Sequence, residues 1–179
     1  MRRNRELLAA LLAVGIATAI YAHFSGGFGN APRSGSPAGH WMGVIGMAMM
    51  LATETLYSLR KRAKRLHLGR LRDWLSVHIF MGIFGPYLVL LHTAWHYRGL
   101  AGAAMLMTIL VVISGFVGRY IYTAIPRSPD GAELPSATTV RARQLLATWH
   151  TVHVPLGLAM FTAASLHALA GLYFNTLGR

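Results

Sequence analysis

Five apolar stretches, each long enough to cross a bilayer, alternate along this chain with short polar segments. A hydrocarbon core takes about 20 consecutive apolar residues per helix. The pattern predicts helices over about Leu7–His23, Trp41–Leu59, Trp74–His96, Leu100–Ile125 and Leu145–Phe174. Between them lie a Gly/Ser/Pro-rich segment (Ser25–Gly39), a basic loop after Leu59, a short turn (Tyr97–Gly99) and a polar loop holding Asp130, Glu133, Arg141 and Arg143. Pro126 is expected to stop the fourth helix. Pro86 and Pro155 fall inside helices three and five, where a membrane helix tolerates them as kinks. The expected fold is all-α with five transmembrane helices. Residues 1–39 form an N-terminal transmembrane helix and outer loop, and 40–179 a four-helix bundle made of helices two to five.

Composition sharpens that picture. The 179 residues are 54% hydrophobic and only 12% charged, against about 25% charged in soluble domains. A net charge of +12 invites a nucleic-acid reading, but its placement argues for the bilayer as partner. Arg2, Arg3 and Arg5 precede the first apolar segment, and Arg60, Lys61, Arg62, Lys64, Arg65, Arg70 and Arg72 crowd one loop. Lys and Arg are retained on the cytoplasmic side of membranes. The expectation is therefore a multi-pass protein of the cell (inner) membrane, N-terminus cytoplasmic and C-terminus outside, with no nucleic acid partner. The basic N-terminus ahead of Leu7–Tyr21 resembles a signal peptide and is read as a retained first helix. Trp41, Trp74, Trp95 and Trp149 fall near expected helix ends, as interfacial anchors do. The absence of cysteine excludes disulfides, thiolate-ligated iron–sulfur clusters and covalent haem attachment.

Histidine adds the chemistry. His78 and His92 lie 14 residues apart on helix three, and His153 and His167 lie 14 apart on helix five. Fourteen residues at ~100° each return to within ~40° of the starting face and climb ~21 Å. Each helix thus presents two imidazoles on one face, one towards each side of the membrane. The helices are separated by one helix, so they run parallel, and both pairs share the offset of 75 (153 minus 78, 167 minus 92). His78 is expected to face His153 on the cytoplasmic side and His92 to face His167 on the outer side. Each pair forms a bis-histidine axial site for one haem b. Gly82 and Gly157, each four residues after the first histidine of its helix, leave room for a porphyrin, although small residues also serve plain helix packing. Zinc or copper wants three or four ligands around one point, which histidines ~21 Å apart in depth cannot supply.

Other polar residues in these segments carry open alternatives. Arg119 could bind a propionate of the inner haem, pair with Glu54, or snorkel to the interface. Glu54, His96 and His150 are candidates for a quinol head group or a proton path, and His96 and His150 are equally well read as interfacial histidines. The run Ser114-Gly115-Phe116-Val117-Gly118-Arg119 predicts close packing of helix four against a neighbour. His23, His40 and His67 are not expected to be ligands.

Two parallel helices each carrying His-x13-His, with one helix between them, resemble the membrane cytochromes b, both respiratory cytochrome b and the ferric reductase-like transmembrane superfamily. The stretch Trp74–Arg127, with its Ser-Gly-Phe-Val-Gly-Arg-Tyr run and closing Ile-Pro-Arg, is more similar to the latter. The resemblance covers roughly His40–Phe174. It implies that His78, His92, His153 and His167 ligate two haems between which electrons cross the membrane. Unlike the ferric reductases, the sequence carries no dinucleotide fingerprint. The expectation is an oxidoreductase subunit without its own flavin or NAD(P)H domain, supplied by a redox partner protein or a quinol and delivering electrons to an outer-face acceptor. The alternative is a redox-silent membrane transporter with a histidine proton pathway.

Overall fold

The computed structural model describes residues 4–25, 36–62, 71–128 and 131–176. Arg2, Arg3, Arg33, Lys64, Arg65, His67, Arg70 and Asp130 lie outside the described residues, so half of the ten basic residues that carry the charge asymmetry are known from the sequence alone. Among the described residues there are five helices: α1 (Arg5–Ser25), α2 (Pro37–Arg62), α3 (Leu71–His92), α4 (Gly99–Thr123) and α5 (Ala137–Thr176). Four of them, all but α2, are long and apolar enough to cross a membrane. Leu8, Leu12, Leu106, Ile113, Leu158 and Leu169 are each more than half exposed. Such a surface suits lipid rather than water, and the chain is an all-α membrane protein. Helix α2 has the length, at 26 residues, but Glu54 and its basic end dilute its apolar character.

Three helix boundaries differ by four residues or more from those expected, each for a local reason. Helix α2 begins at Pro37 rather than near Trp41, because Ser36 caps it by accepting the Gly39 amide (3.1 Å) and Pro37 occupies the first helical position. Helix α3 ends at His92 rather than running to His96. The Thr93 hydroxyl donates to the Leu90 carbonyl (2.7 Å) and accepts the Trp95 amide (3.2 Å), drawing the backbone out of the helix. Ala94 and Trp95 then take left-handed conformations, at φ 45° and 65°, which side chains other than glycine seldom adopt. Helix α5 begins at Ala137, eight residues before the expected Leu145. Arg141 and Arg143 interrupt the apolar pattern there, but arginine is a good helix former and Ser136 caps the start through the Thr139 amide (3.1 Å).

The chain forms two compact units, residues 1–97 and 98–179. In the first, α3 packs against both α1 and α2. The Thr18 and Tyr87 hydroxyls join α1 to α3. Gly46 and Gly85 bring α2 and α3 into backbone contact: a Cβ at either glycine would sit about 3 Å from the other's carbonyl oxygen (2.8 and 3.1 Å). In the second unit α4 packs against α5, and a Cβ at Gly118 would collide with the Trp149 indole.

The segment joining α4 to α5 is organised around Glu133. Its Oε2 accepts from Nε and Nη2 of Arg143 (3.0 and 2.7 Å), and Arg127 approaches Oε1 at 3.7 Å while lying over the Tyr122 ring. The Arg143 hydrogen bond and charge hold the Glu133 carboxyl below its ordinary range. A carboxyl depressed in the folded state adds stability above its unfolded pKa of about 4.3, and that contribution is lost as pH falls through the folded value. Hydrogen-exchange protection of the Leu134 amide, which donates to Pro126 (3.0 Å), should therefore weaken on acidification below about pH 4. Glu133→Gln should lower protection at neutral pH and remove that acid dependence; an unchanged acid response would exclude Glu133 as its source.

Candidate functional site

Each histidine of α3 is tied to the backbone of α2. His78 Nδ1 lies 3.1 Å from the Thr53 carbonyl oxygen, and His92 Nδ1 lies 2.8 Å from that of Gly39. A carbonyl can only accept, so both rings donate from Nδ1. In a neutral imidazole that places the lone pair on Nε2, the form in which histidine binds a metal. The partners Gly39 and Thr53 are themselves 14 residues apart, with Gly46 midway, as Gly85 is midway between His78 and His92. The three contacts 78–53, 85–46 and 92–39 share one residue-number sum, 131, the signature of an antiparallel register.

Room for the His92 bond comes from Gly43. A Cβ there would fall 2.9 Å from Cγ and Nδ1 of His92, closer than packed atoms tolerate. The small residues of this face are thus divided in use. Gly85 is taken up by the approach to α2, whereas a Cβ at Gly82 would meet only the Thr53 methyl at 3.7 Å, an ordinary contact.

In the second unit His153 is half-buried on α5, and its Nδ1 lies 3.1 Å from Ser114 Oγ on α4. One turn earlier, Trp149 stacks on the His153 ring, with centroids 4.5 Å apart and planes inclined by 24°. The indole N–H is shared between the Ser114 carbonyl oxygen (2.8 Å) and Ser114 Oγ (3.1 Å). Trp149 is therefore part of the α4–α5 contact, a correction to its expected place as an anchor at a helix end; the early start of α5 puts it well inside the helix. The close packing expected of the Ser114–Gly118 run is present, with Gly118 under the indole and Gly115 under His153.

The remaining candidates fall as follows. His167 is exposed on α5, and Gly157 is buried one turn after His153. Glu54 is half-buried in the first unit and Arg119 half-buried in the second. His96 lies beyond α3, and its Nδ1 donates to the Ala94 carbonyl (2.7 Å), so it does not continue the helical face of His92. His150 is exposed on α5, edge-on to Trp149. His23 and His40 are exposed near the ends of α1 and α2. Among the described residues no three His, Asp or Glu side chains gather around one point. Sequence reasoning missed Gly39, Gly43, Thr53, Ser114 and Trp149. Gly39 and Thr53 act through their backbone carbonyls and Gly43 through its lack of a side chain, so none of the three carried a signal of its own.

No family model, curated protein or solved structure matches this chain. Its functional reading therefore rests on these side chains.

Gly43→Ala should displace the His92 ring, break its bond to Gly39 and destabilise the protein by about 1–3 kcal/mol. Unfolding in detergent measures this. Gly15→Ala on α1, where a Cβ meets nothing within 4 Å, serves as the control and should be neutral or slightly stabilising. Equal stability of the two variants would show that the His92 contact contributes nothing.

Proposed function

We propose that this protein is a di-haem b-type cytochrome that carries single electrons across the membrane. In this reading all five helices span the bilayer, and α2 to α5 form the haem-binding bundle. His78 with His153 holds the cytoplasmic-side haem, and His92 with His167 the outer-side haem. The observation that carries it is the pair of Nδ1 bonds from α3 to α2 carbonyls. They hold two imidazoles of one helix in the metal-binding tautomer at the same 14-residue interval that separates His153 from His167. The donor set fits haem, because porphyrin supplies four nitrogens and the protein needs only two imidazoles per iron. When bound, haem iron provides one-electron chemistry by alternating between ferric and ferrous states.

The chain's own residues then have distinct tasks. Thr53 and Gly39 hold the α3 rings through their carbonyls, raising imidazole basicity. Gly82 and Gly157 leave space beside the ligand helices. Arg119 would meet a propionate by a forked contact. The N-terminus is cytoplasmic. Electrons enter from a partner protein or a quinol and leave to an outer-face acceptor, making this a redox subunit.

The test is a reduced-minus-oxidised absorbance spectrum of the purified protein with haem quantitation. Two haem b per chain are expected. His78→Ala or His153→Ala should remove one, and His92→Ala or His167→Ala the other. Absence of b-type bands together with absence of stoichiometric iron would sink the proposal and favour a transporter with a histidine pathway.

A further inference from the structure

We infer that Ser114 and Trp149 are positioning residues that set the reduction equilibrium at His153, and that they act in opposite directions. The inference rests on the reading of His153 as an axial ligand. A serine hydroxyl has one proton and two lone pairs. Here its oxygen faces two nitrogens, Trp149 Nε1 and His153 Nδ1, each at 3.1 Å. The indole nitrogen has no lone pair to offer and can only donate. A histidine that ligates through Nε2 carries its proton on Nδ1, so Ser114 Oγ must accept from both rings.

That arrangement differs from the α3 ligands, whose Nδ1 protons go to backbone carbonyls. An acceptor on Nδ1 makes the imidazole more electron-rich, and an electron-rich ligand favours ferric iron. Ser114 Oγ does this for His153, while the Trp149 N–H draws on the same oxygen and weakens it as an acceptor. Stacking of the indole on His153, with Gly118 clearing space beneath the indole, holds the two donors side by side.

Deleting the hydroxyl should therefore make the ligand less basic and shift that haem towards the reduced form. Deleting only the indole N–H should strengthen the serine as acceptor and shift the same haem towards the oxidised form. Ser114→Ala makes the first change, Trp149→Phe removes the N–H together with the pyrrole ring while keeping an aromatic ring, and Ser114→Thr keeps the hydroxyl. A spectroscopic redox titration of the intact protein reads both haems. We expect one midpoint to move in each variant, by about threefold or more in the reduction equilibrium, upward in Ser114→Ala and downward in Trp149→Phe. Ser114→Thr should titrate as the wild type does. A purely structural contact would shift both variants the same way or neither, and either result overturns the inference while leaving the two-haem reading intact. Should Ser114→Ala lose that haem altogether, the downward shift in Trp149→Phe decides: its presence supports the inference and its absence overturns it. A wild-type protein without haem would instead overturn the underlying reading.

Discussion

The contact between Gly46 and Gly85 governs the first unit, because it lets two helix backbones meet where any larger side chain would hold them apart. Close approach matters in a membrane, where helices gain nothing from burying apolar surface away from lipid and rely on packing and polar contacts instead. With α2 this near, its carbonyls come within reach of imidazoles on α3. The two histidine bonds fall seven residues either side of the glycine contact, about 10 Å along the axis in each direction. One close approach therefore sets the register for both histidines at once.

The second unit reaches a similar end by other means. Gly118 admits the indole of Trp149, and the indole fixes α5 on α4 by its bonds to Ser114. The partner of His153 is consequently a hydroxyl rather than a carbonyl. A carbonyl oxygen belongs to a rigid helix and cannot donate, whereas a hydroxyl turns and can do either. The proposed ligands thus differ in the groups behind them, although the ligands themselves are the same residue at the same spacing.

Much of this was legible in the sequence, and the limits have physical causes. The helices could be read because bilayer-length apolar runs are unmistakable, and the histidines because their interval repeats. The start of α5 was hidden by Arg141 and Arg143, whose charge ended the apolar pattern without ending the helix. Trp149 was misplaced as a result. The end of α3 was hidden because Thr93 is apolar enough to extend the pattern, while its hydroxyl terminates the helix. Thr53 and Gly39 were out of reach for another reason: they act through their carbonyls, and every residue has one. Only register selects which carbonyl is used, and register follows from the Gly46–Gly85 approach. On α3 a glycine was read as room for a porphyrin, and nothing marked Gly46 on α2 as the partner of Gly85.

The same arithmetic links packing to chemistry. Seven residues fall ~20° short of two full turns, so a seam repeating every seven residues drifts slowly and stays in contact with an antiparallel neighbour. His78, Gly85 and His92 form such a seam, and so do Gly39, Gly46 and Thr53. Two heptads make the 14-residue interval that also places both imidazoles on one side of α3. The histidine face of α3 is therefore committed to α2 through Nδ1. In an imidazole the two nitrogens lie on opposite flanks of Cε1, so a ring anchored at Nδ1 directs Nε2 away from the carbonyl that holds it. Under the proposed function this is the property that lets one helix face serve two neighbours. Under that proposal the interval that satisfies α2 at both histidines would also offer two iron-binding nitrogens, so that a haem at one histidine would constrain the packing at the other.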